Sequence, residues 1–194
     1  GINYKGQAAA LNGCVNDSNN FMTFVKTRFG AQTAHSVQLK DSHPHGHKLY
    51  PTRKNIETAL VDAVAVARRK KLTHLLVHYS GHGAQVPDRN DDEADGMDEA
   101  LVPVDYASKG MIIDDWLLAH VINKLPPSCK FFGLIDACHS ASILDLRFAI
   151  QPAQGRLRAT MANSKCSARV NALMISGCTD ALFSYDSYDR RYGA

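Results

Sequence analysis

Hydrophobic residues along this chain follow two alternating patterns, which predict helices and buried strands in turn. Apolar positions at helical spacing predict three helices: residues 17–29, a helix that begins after Thr52, and one from Asp114 to Pro126. Short runs rich in apolar residues predict buried strands over residues 72–79, 131–136 and 172–176, and residues 37–39 are a further short strand candidate. Because parallel sheets covered on both faces show this alternation, we expect an α/β fold with a mostly parallel central sheet.

Two of the predicted strands end in turns that carry reactive side chains. His82 follows the strand over 72–79, and Cys138 follows the strand over 131–136. Ligands of parallel sheets bind at the carboxyl ends of the strands, and a histidine there can convert a thiol to the nucleophilic thiolate. A lone buried cysteine is more often inert core, but a second reactive strand end favours a His82/Cys138 catalytic pair. The backbone N–H groups of Gly83 and Cys138 are the predicted oxyanion hole.

Composition limits the classes of protein to which this chain can belong. The chain has 194 residues, 45% hydrophobic and 21% charged, with a net charge of +3. It therefore predicts one globular domain, and the small charge predicts no nucleic-acid partner. No apolar run approaches the ~18 residues that a membrane helix needs, so no membrane partner is expected. Five cysteines without a CxxC pair indicate free thiols in a reducing compartment, and hence a cytoplasmic protein.

The two reactive turns resemble the catalytic motifs of a known family. His78–Gly83 reads HYSGHG, Asp136–Ser140 reads DACHS, and His82 and Cys138 are 56 residues apart. This pair resembles the motifs of the metacaspases, which are caspase-like cysteine peptidases; caspases show a separation of about 50 residues. Five further segments resemble metacaspases in the family's order: residues 1–4, 13–17, 95–99, 103–106 and 176–180.

The resemblance implies a caspase-like α/β/α sandwich with a catalytic dyad of His82 and Cys138. It also implies cleavage after Arg or Lys, since carboxylates can pair with a guanidinium in bidentate geometry. Asp136 stands two residues before Cys138 and therefore on the same strand face. The implied pocket for the basic side chain (S1) consists of Cys14, Asp17, Ser80 and Asp136. For Asp17, the role of a helix N-cap remains an equal alternative.

The family's organisation suggests three regions within one structural domain. Residues 1–150 resemble the large catalytic subunit, residues 151–171 a linker, and residues 172–194 the start of the small subunit. We expect both ends to be truncated relative to the family. Basic residues in the linker are candidate self-cleavage sites, with an exposed polar loop as the alternative; they are Arg156, Arg158, Lys165 and Arg169.

An acidic segment of the chain suggests a binding site for a cation. Seven of the twelve residues from Asp88 to Glu99 are acidic. A solvated loop is the usual explanation of such a run, and an EF-hand starting at Asp91 fails because Val102 stands where Glu is needed. Metacaspases are commonly calcium-dependent, so the resemblance implies an activating Ca²⁺ and no organic cofactor. The implied calcium ligands are Asp98, Asp114, Asp115 and Asp145.

Two functions follow as hypotheses. The first is a calcium-stimulated cysteine endopeptidase that acts on polypeptides with Arg or Lys at the cleaved position, expected to be a monomer. The alternative is a catalytically inactive, calcium-responsive interaction module with the same fold. Intact His82 and Cys138 favour the first, whereas Ala141, where metacaspases usually have Gly, and the unusual residues 181–183 favour the second.

Overall fold

The structure is a computed structural model that describes residues 1–30, 35–87, 96–153, 155–161 and 171–178. Its helices are α1 Cys14–Phe29, α2 Arg53–Lys70, α3 Tyr106–Lys109 and α4 Asp114–His120, with a short 3-10 turn at Ile122–Lys124. Its strands are β1 His74–Ser80, β2 Gly83–Pro87, β3 Met97–Leu101, β4 Ile112–Ile113, β5 Lys130–Asp136, β6 Phe148–Ala153, β7 Arg156–Met161 and β8 Ala172–Ser176.

A parallel sheet of three strands organises the chain. Its order is β1-β5-β8, and β5 lies between the other two. The register pairs Leu75 with Phe131 and Ser80 with Asp136, and β8 joins by pairing Ser176 with Ile135. The predicted parallel sheet is therefore confirmed, with strands close to those expected from the apolar runs.

The two faces of this sheet carry different layers. Leu75, Val77 and Tyr79 alternate along β1 and point into the main core, where Val64 and Ala67 of α2 are also buried. On the opposite face, α1 packs through Phe21, whose ring stacks on His78 of β1 with centroids 4.6 Å apart. Helices thus lie on both faces of the sheet, in the expected α/β/α arrangement.

Local sequence explains where the helices begin and end. Thr52 caps α2 as predicted, since its hydroxyl accepts the N–H of Asn55 at 3.2 Å. Helix α1 begins at Cys14, three residues earlier than the hydrophobic pattern predicts, and Gly13 holds the N-cap position. Asp17 is therefore inside the first turn of α1, and the N-cap alternative for Asp17 is wrong.

A small antiparallel sheet, β2-β3-β4, begins where the first reactive turn ends. Gly83 pairs with Leu101, and Ala100 pairs with Ile113. The sequence pattern missed β3, because its Asp98 and Glu99 read as the end of an acidic loop although both side chains are buried. The rest of that segment, residues 88–95, lies outside the described residues.

Two other predictions differ from the structure. Residues 37–39 form no strand; instead Leu39 accepts a hydrogen bond from the Gly1 amino group at 3.0 Å. The described part of the predicted linker over 151–171 forms a hairpin of β6 and β7, in which Phe148 pairs with Met161 and Ile150 pairs with Ala159. Along β7, Leu157, Ala159 and Met161 alternate with polar residues, which is the pattern of a strand.

Among the described residues, no helix combines the length and the apolar character that crossing a membrane requires.

Candidate active site

The parallel register of β1 and β5 brings the two reactive turns together. Ser80 and Asp136 are paired at the carboxyl ends of these strands, and the Gly81 N–H donates to the Asp136 carbonyl at 3.2 Å. His82 and Cys138 each stand two residues beyond this pair. Since adjacent strands lie only ~4.8 Å apart, the two turns meet at one edge of the sheet.

Gly83 fixes how closely these turns approach each other. A β-carbon added at Gly83 would overlap the carbonyl oxygen of Cys138 and lie 3.3 Å from the Ala137 β-carbon. Only a residue without a side chain fits there, so the backbone of Gly83 packs directly on the Cys138 turn. This close packing is compatible with the predicted oxyanion hole.

A backbone carbonyl orients the imidazole of His82. Nε2 of His82 lies 2.6 Å from the Ala9 carbonyl oxygen. Because a carbonyl oxygen only accepts, we assign the proton to Nε2, which leaves Nδ1 as the basic nitrogen of the neutral ring. The Tyr4 ring lies 4.6 Å from the His82 ring and limits its movement on one side.

Two buried tyrosines fix the backbone of His82. The Tyr79 hydroxyl donates to the His82 carbonyl at 2.7 Å, and the Tyr4 hydroxyl accepts the His82 N–H at 3.0 Å. Tyr4 in turn donates to the carbonyl of Val102 at 2.6 Å. Burial raises the pKa of both phenols, so each keeps the proton it donates. Sequence reasoning missed Tyr4, Tyr79 and the Ala9 carbonyl.

Three of the four predicted S1 residues lie together beside these turns. The Ser80 hydroxyl donates to Asp17 Oδ2 at 3.0 Å. Asp17 and the exposed Asp136 line one cavity of about 570 Å³, whose walls include Phe21 and Phe24 of α1. Cys14 is buried in the first turn of α1 and is not among the residues that line this cavity.

His78 is a further residue of this cavity, and it is uncharged near neutral pH. Its ring stacks on Phe21 with an interplanar angle of 17°. The pKa of His78 is lowered to about 4, mainly by burial and then by the charge of the Gly1 amino group, while Asp136 opposes the shift. Asp17 and Asp136 therefore set the charge of the cavity, which is negative.

The predicted calcium ligands lie partly in the protein interior. Asp98, Asp114 and Asp145 are buried, and Asp115 is half-buried at the start of α4. Burial and then the charge of Asp145 raise the pKa of Asp114 to about 8. Asp114 also accepts two backbone N–H bonds, from Glu99 at 2.6 Å and from Asp115 at 2.8 Å.

The chemistry of these side chains fits calcium, but their present arrangement is not a coordination shell. All four offer carboxylate oxygens, which hard cations prefer. Mutual repulsion among buried carboxylates is the condition that a cation relieves. Within the described part of the chain, however, no three acidic, histidine or cysteine side chains are placed to hold a metal ion.

The turn after β5, which carries Cys138, shows no backbone strain at Ala141. The non-glycine residues with positive φ in the described chain include His139, at 46°, and do not include Ala141. An alanine at 141 therefore carries no left-handed strain. Ser140 tightens the turn by donating to the Ala137 carbonyl at 2.8 Å.

The candidate self-cleavage residues divide into two groups. Arg156 and Arg158 are exposed on β7, the second strand of the hairpin. Lys165 and Arg169 lie outside the described residues.

Comparison with known proteins identifies the class of fold and then the family. A crystal structure of protein GSU0716 from Geobacter sulfurreducens matches with a TM-score of 0.64 and 26% identity, over 96% of this chain and 74% of that one. This fold is the expected caspase-like sandwich. The sequence matches the profile of the metacaspase, peptidase C14 domain over residues 1–147. The chain therefore belongs to the metacaspase family.

Curated relatives agree with this assignment. Metacaspase-1B of Aspergillus oryzae is 39% identical over 158 residues, which are 81% of this chain and 37% of the relative. Metacaspase-1 of Meyerozyma guilliermondii is 43% identical over 148 residues, which are 76% of this chain and 35% of the relative. The chain thus spans a little over a third of the length of the curated relatives it matches.

We predict that Gly83→Ala forces apart the turns that carry His82 and Cys138, because the added methyl group overlaps the Cys138 carbonyl. Overpacking of this kind costs about 1–3 kcal/mol of unfolding free energy, measurable by urea denaturation, and it should also change the rate at which iodoacetamide alkylates Cys138. Gly155→Ala is the control for the alkylation rate: its φ of 74° strains an alanine, but nothing lies within 4 Å of the added carbon. It should therefore lose some stability through strain remote from the two turns and leave the alkylation rate unchanged. Wild-type stability and alkylation in Gly83→Ala would contradict the proposed packing.

We predict a pH-dependent stability that originates in His78. Its pKa of about 4 lies below the ordinary 6.5, so the unfolded chain binds the proton more readily than the folded one. The contribution of uncharged His78 to the free energy of unfolding is complete above pH 6.5 and falls as the pH approaches 4. Urea unfolding at pH 7, 6 and 5 should show a shallower fall for His78→Phe than for wild type.

The raised pKa of Asp114 makes the folded state more stable as the pH falls, which is opposite to the effect of His78, but Asp114 is present in both wild type and His78→Phe. The difference between the two proteins therefore reports His78. His74→Gln removes an exposed histidine from the same strand and should keep the wild-type slope. The interpretation fails if His78→Phe and wild type lose stability in parallel.

Proposed function

We propose that this protein is a cysteine endopeptidase that cleaves polypeptides after Arg or Lys, with Cys138 as nucleophile and His82 as general base and acid. One observation carries the proposal: paired strand ends hold His82 and Cys138 at one sheet edge, beside a cavity lined by Asp17 and Asp136. Membership of a peptidase family supports the same chemistry.

The reaction begins with a proton transfer from the Cys138 thiol to Nδ1 of His82. The thiolate attacks the scissile carbonyl carbon, and the N–H groups of Gly83 and Cys138 stabilise the resulting oxyanion. The imidazolium gives its proton to the leaving amine, which produces an acyl-enzyme. His82 then activates a water molecule that hydrolyses this thioester. The Ala9 carbonyl accepts from Nε2 at 2.6 Å and so stabilises the charged ring throughout.

Charge explains the preference for a basic residue at the cleaved position. The bound guanidinium or ammonium group meets Asp17 and Asp136, and the hydroxyl of Ser80 holds the carboxylate of Asp17 in place. The apolar stem of Arg or Lys packs on Phe21 and Phe24. An acidic side chain would meet two like charges, so cleavage after Asp is disfavoured.

Calcium is the proposed activator, with Asp98, Asp114, Asp115 and Asp145 as ligands. The ion would supply positive charge among buried carboxylates, of which Asp114 has its pKa raised to about 8 by burial and then by the charge of Asp145. Asp114 binds the N–H of Glu99 in β3, and β3 pairs with β2, the strand that Gly83 begins. Calcium binding would therefore act on the strand that carries part of the oxyanion hole.

The same specificity makes the exposed Arg156 and Arg158 candidates for self-cleavage. Cysteines carried as thiols are typical of a reducing compartment, so we propose a cytoplasmic location, and we expect a monomer. The inactive, calcium-responsive module remains the alternative function, but the backbone at Ala141 no longer favours it.

A fluorogenic peptide assay tests the proposal. We predict hydrolysis of Arg- and Lys-aminomethylcoumarin peptides, little hydrolysis of an Asp peptide, and at least a ~1,000-fold loss in Cys138→Ala. Asp136→Asn should lower kcat/KM for the Arg peptide roughly 10- to 150-fold, since a hydrogen bond to a charged group contributes about 1.5–3 kcal/mol. Asp62→Asn, which changes an exposed carboxylate of α2, is the matched control.

The same peptide assay, run with and without calcium, tests the proposed activation by this ion. A calcium chelator should lower activity, added calcium should restore it, and Asp145→Asn should abolish the restoration. Equal activity of Cys138→Ala and wild type would end the peptidase proposal, whereas activity indifferent to calcium would end only the calcium proposal.

A further inference from the structure

Cys178 is a second thiol beside the proposed nucleophile, and the proposed reaction does not use it. Its Sγ donates to the carbonyl oxygen of Ala137 at 3.4 Å. Ala137 directly precedes Cys138, so the Cys178 thiol lies against the peptide bond that leads into the nucleophile.

The pairing of β5 and β8 explains this placement. Ser176 pairs with Ile135, and the Gly177 N–H continues the ladder by donating to the Ile135 carbonyl at 2.9 Å. In this register Cys178 is level with Ala137, one residue from Cys138. Cys138 is one residue further along, so ~4.8 Å between strands and ~3.3 Å along the strand put its α-carbon about 6 Å from that of Cys178, within the roughly 4.4–6.8 Å that disulfides span. Strand β5 ends at Asp136, so the turn, and not the alternation of the strand, sets the direction of the Cys138 side chain.

The four described cysteines differ in access to solvent. Cys138 and Cys178 are both half-buried, whereas Cys14 and Cys129 are buried. Cys129 is fully enclosed, at 0% exposure, and burial raises the pKa of its thiol. A small oxidant in solution therefore reaches the nucleophile and its neighbour before it reaches the other two.

We infer that Cys178 is a resolving cysteine, which forms a reversible disulfide with Cys138 when a peroxide oxidises the nucleophile. The inference rests on the proposed function, in which Cys138 reacts as a thiolate. The disulfide removes the nucleophile from the reaction and ties the turn after β5 to the turn after β8. Peroxide thereby switches the peptidase off without destroying it.

The chemistry proceeds in two balanced steps. The Cys138 thiolate attacks one oxygen of hydrogen peroxide and the O–O bond breaks, giving the sulfenic acid and, after protonation, one water. The Cys178 sulfur then attacks the sulfenic sulfur, forms the S–S bond and releases a second water. The two thiols lose two electrons in total and one peroxide is reduced. A dithiol reductant reverses the product.

Peptide mapping by mass spectrometry under non-reducing conditions tests the inference. Reduced, desalted wild type exposed to a small excess of hydrogen peroxide should yield a peptide pair linked through Cys138 and Cys178. Peptidase activity should fall by more than about nine-tenths and return with dithiothreitol. Cys178→Ala should keep its activity within about twofold before treatment. The same peroxide dose should convert its Cys138 to the sulfinic acid, and dithiothreitol should not restore activity.

Cys129→Ala is the matched control, because it removes a cysteine remote from solvent, and it should behave as wild type. Absence of the linked pair in treated wild type, or full recovery of treated Cys178→Ala, would overturn the inference. The linkage is detected by mass and not by activity. Its absence in an active enzyme therefore refutes the resolving role alone, whereas an inactive untreated protein refutes the proposed function.

Discussion

The parallel pairing of β1 with β5, in the register that sets Ser80 opposite Asp136, is the constraint on which the site depends. Side chains alternate between the two faces of a strand, so a slip of one residue would turn Leu75, Val77 and Tyr79 out of the core. The same slip would shift His82 along the strand direction relative to Cys138, so the two residues would no longer stand equally far beyond the ends of their strands. Burial of one apolar face thus fixes the register, and the register fixes the geometry of the proposed His82/Cys138 dyad.

Hydrogen bonds from buried tyrosines and a backbone carbonyl hold the turn that carries His82. Tyr4 and Tyr79 satisfy the backbone of His82 on both sides, while the Ala9 carbonyl binds its ring. Buried hydroxyls must find partners, so these bonds are costly to break. The imidazole is consequently held in one position, and the proposed reaction would need little reorganisation of it.

The sequence predicted those elements whose signals lie in the residues of the element itself or next to it. Apolar runs located all three strands of the parallel sheet, and Thr52 marked the start of α2. The turns at His82 and Cys138 were found because glycines and reactive side chains follow those runs directly. The family resemblance added Asp17 and Ser80, which the structure joins by a hydrogen bond at 3.0 Å.

Features that depend on distant or backbone groups could not be predicted in the same way. The Ala9 carbonyl binds a residue 73 positions away, and any residue type supplies a carbonyl. Glu99 looked like an exposed loop residue because its partners are distant in sequence: its N–H donates to Asp114 in α4, and its carboxylate accepts from Ser142, beyond the Cys138 turn. The hairpin of β6 and β7 was missed because arginines between its apolar positions resembled a polar linker.

The most direct measurement is a crystal structure of the protein after reaction with a peptidyl-arginine chloromethylketone. We predict a thioether at Cys138 Sγ, with Nδ1 of His82 facing the adduct and the guanidinium between Asp17 and Asp136. A label on another cysteine, or an arginine side chain outside that cavity, would contradict it.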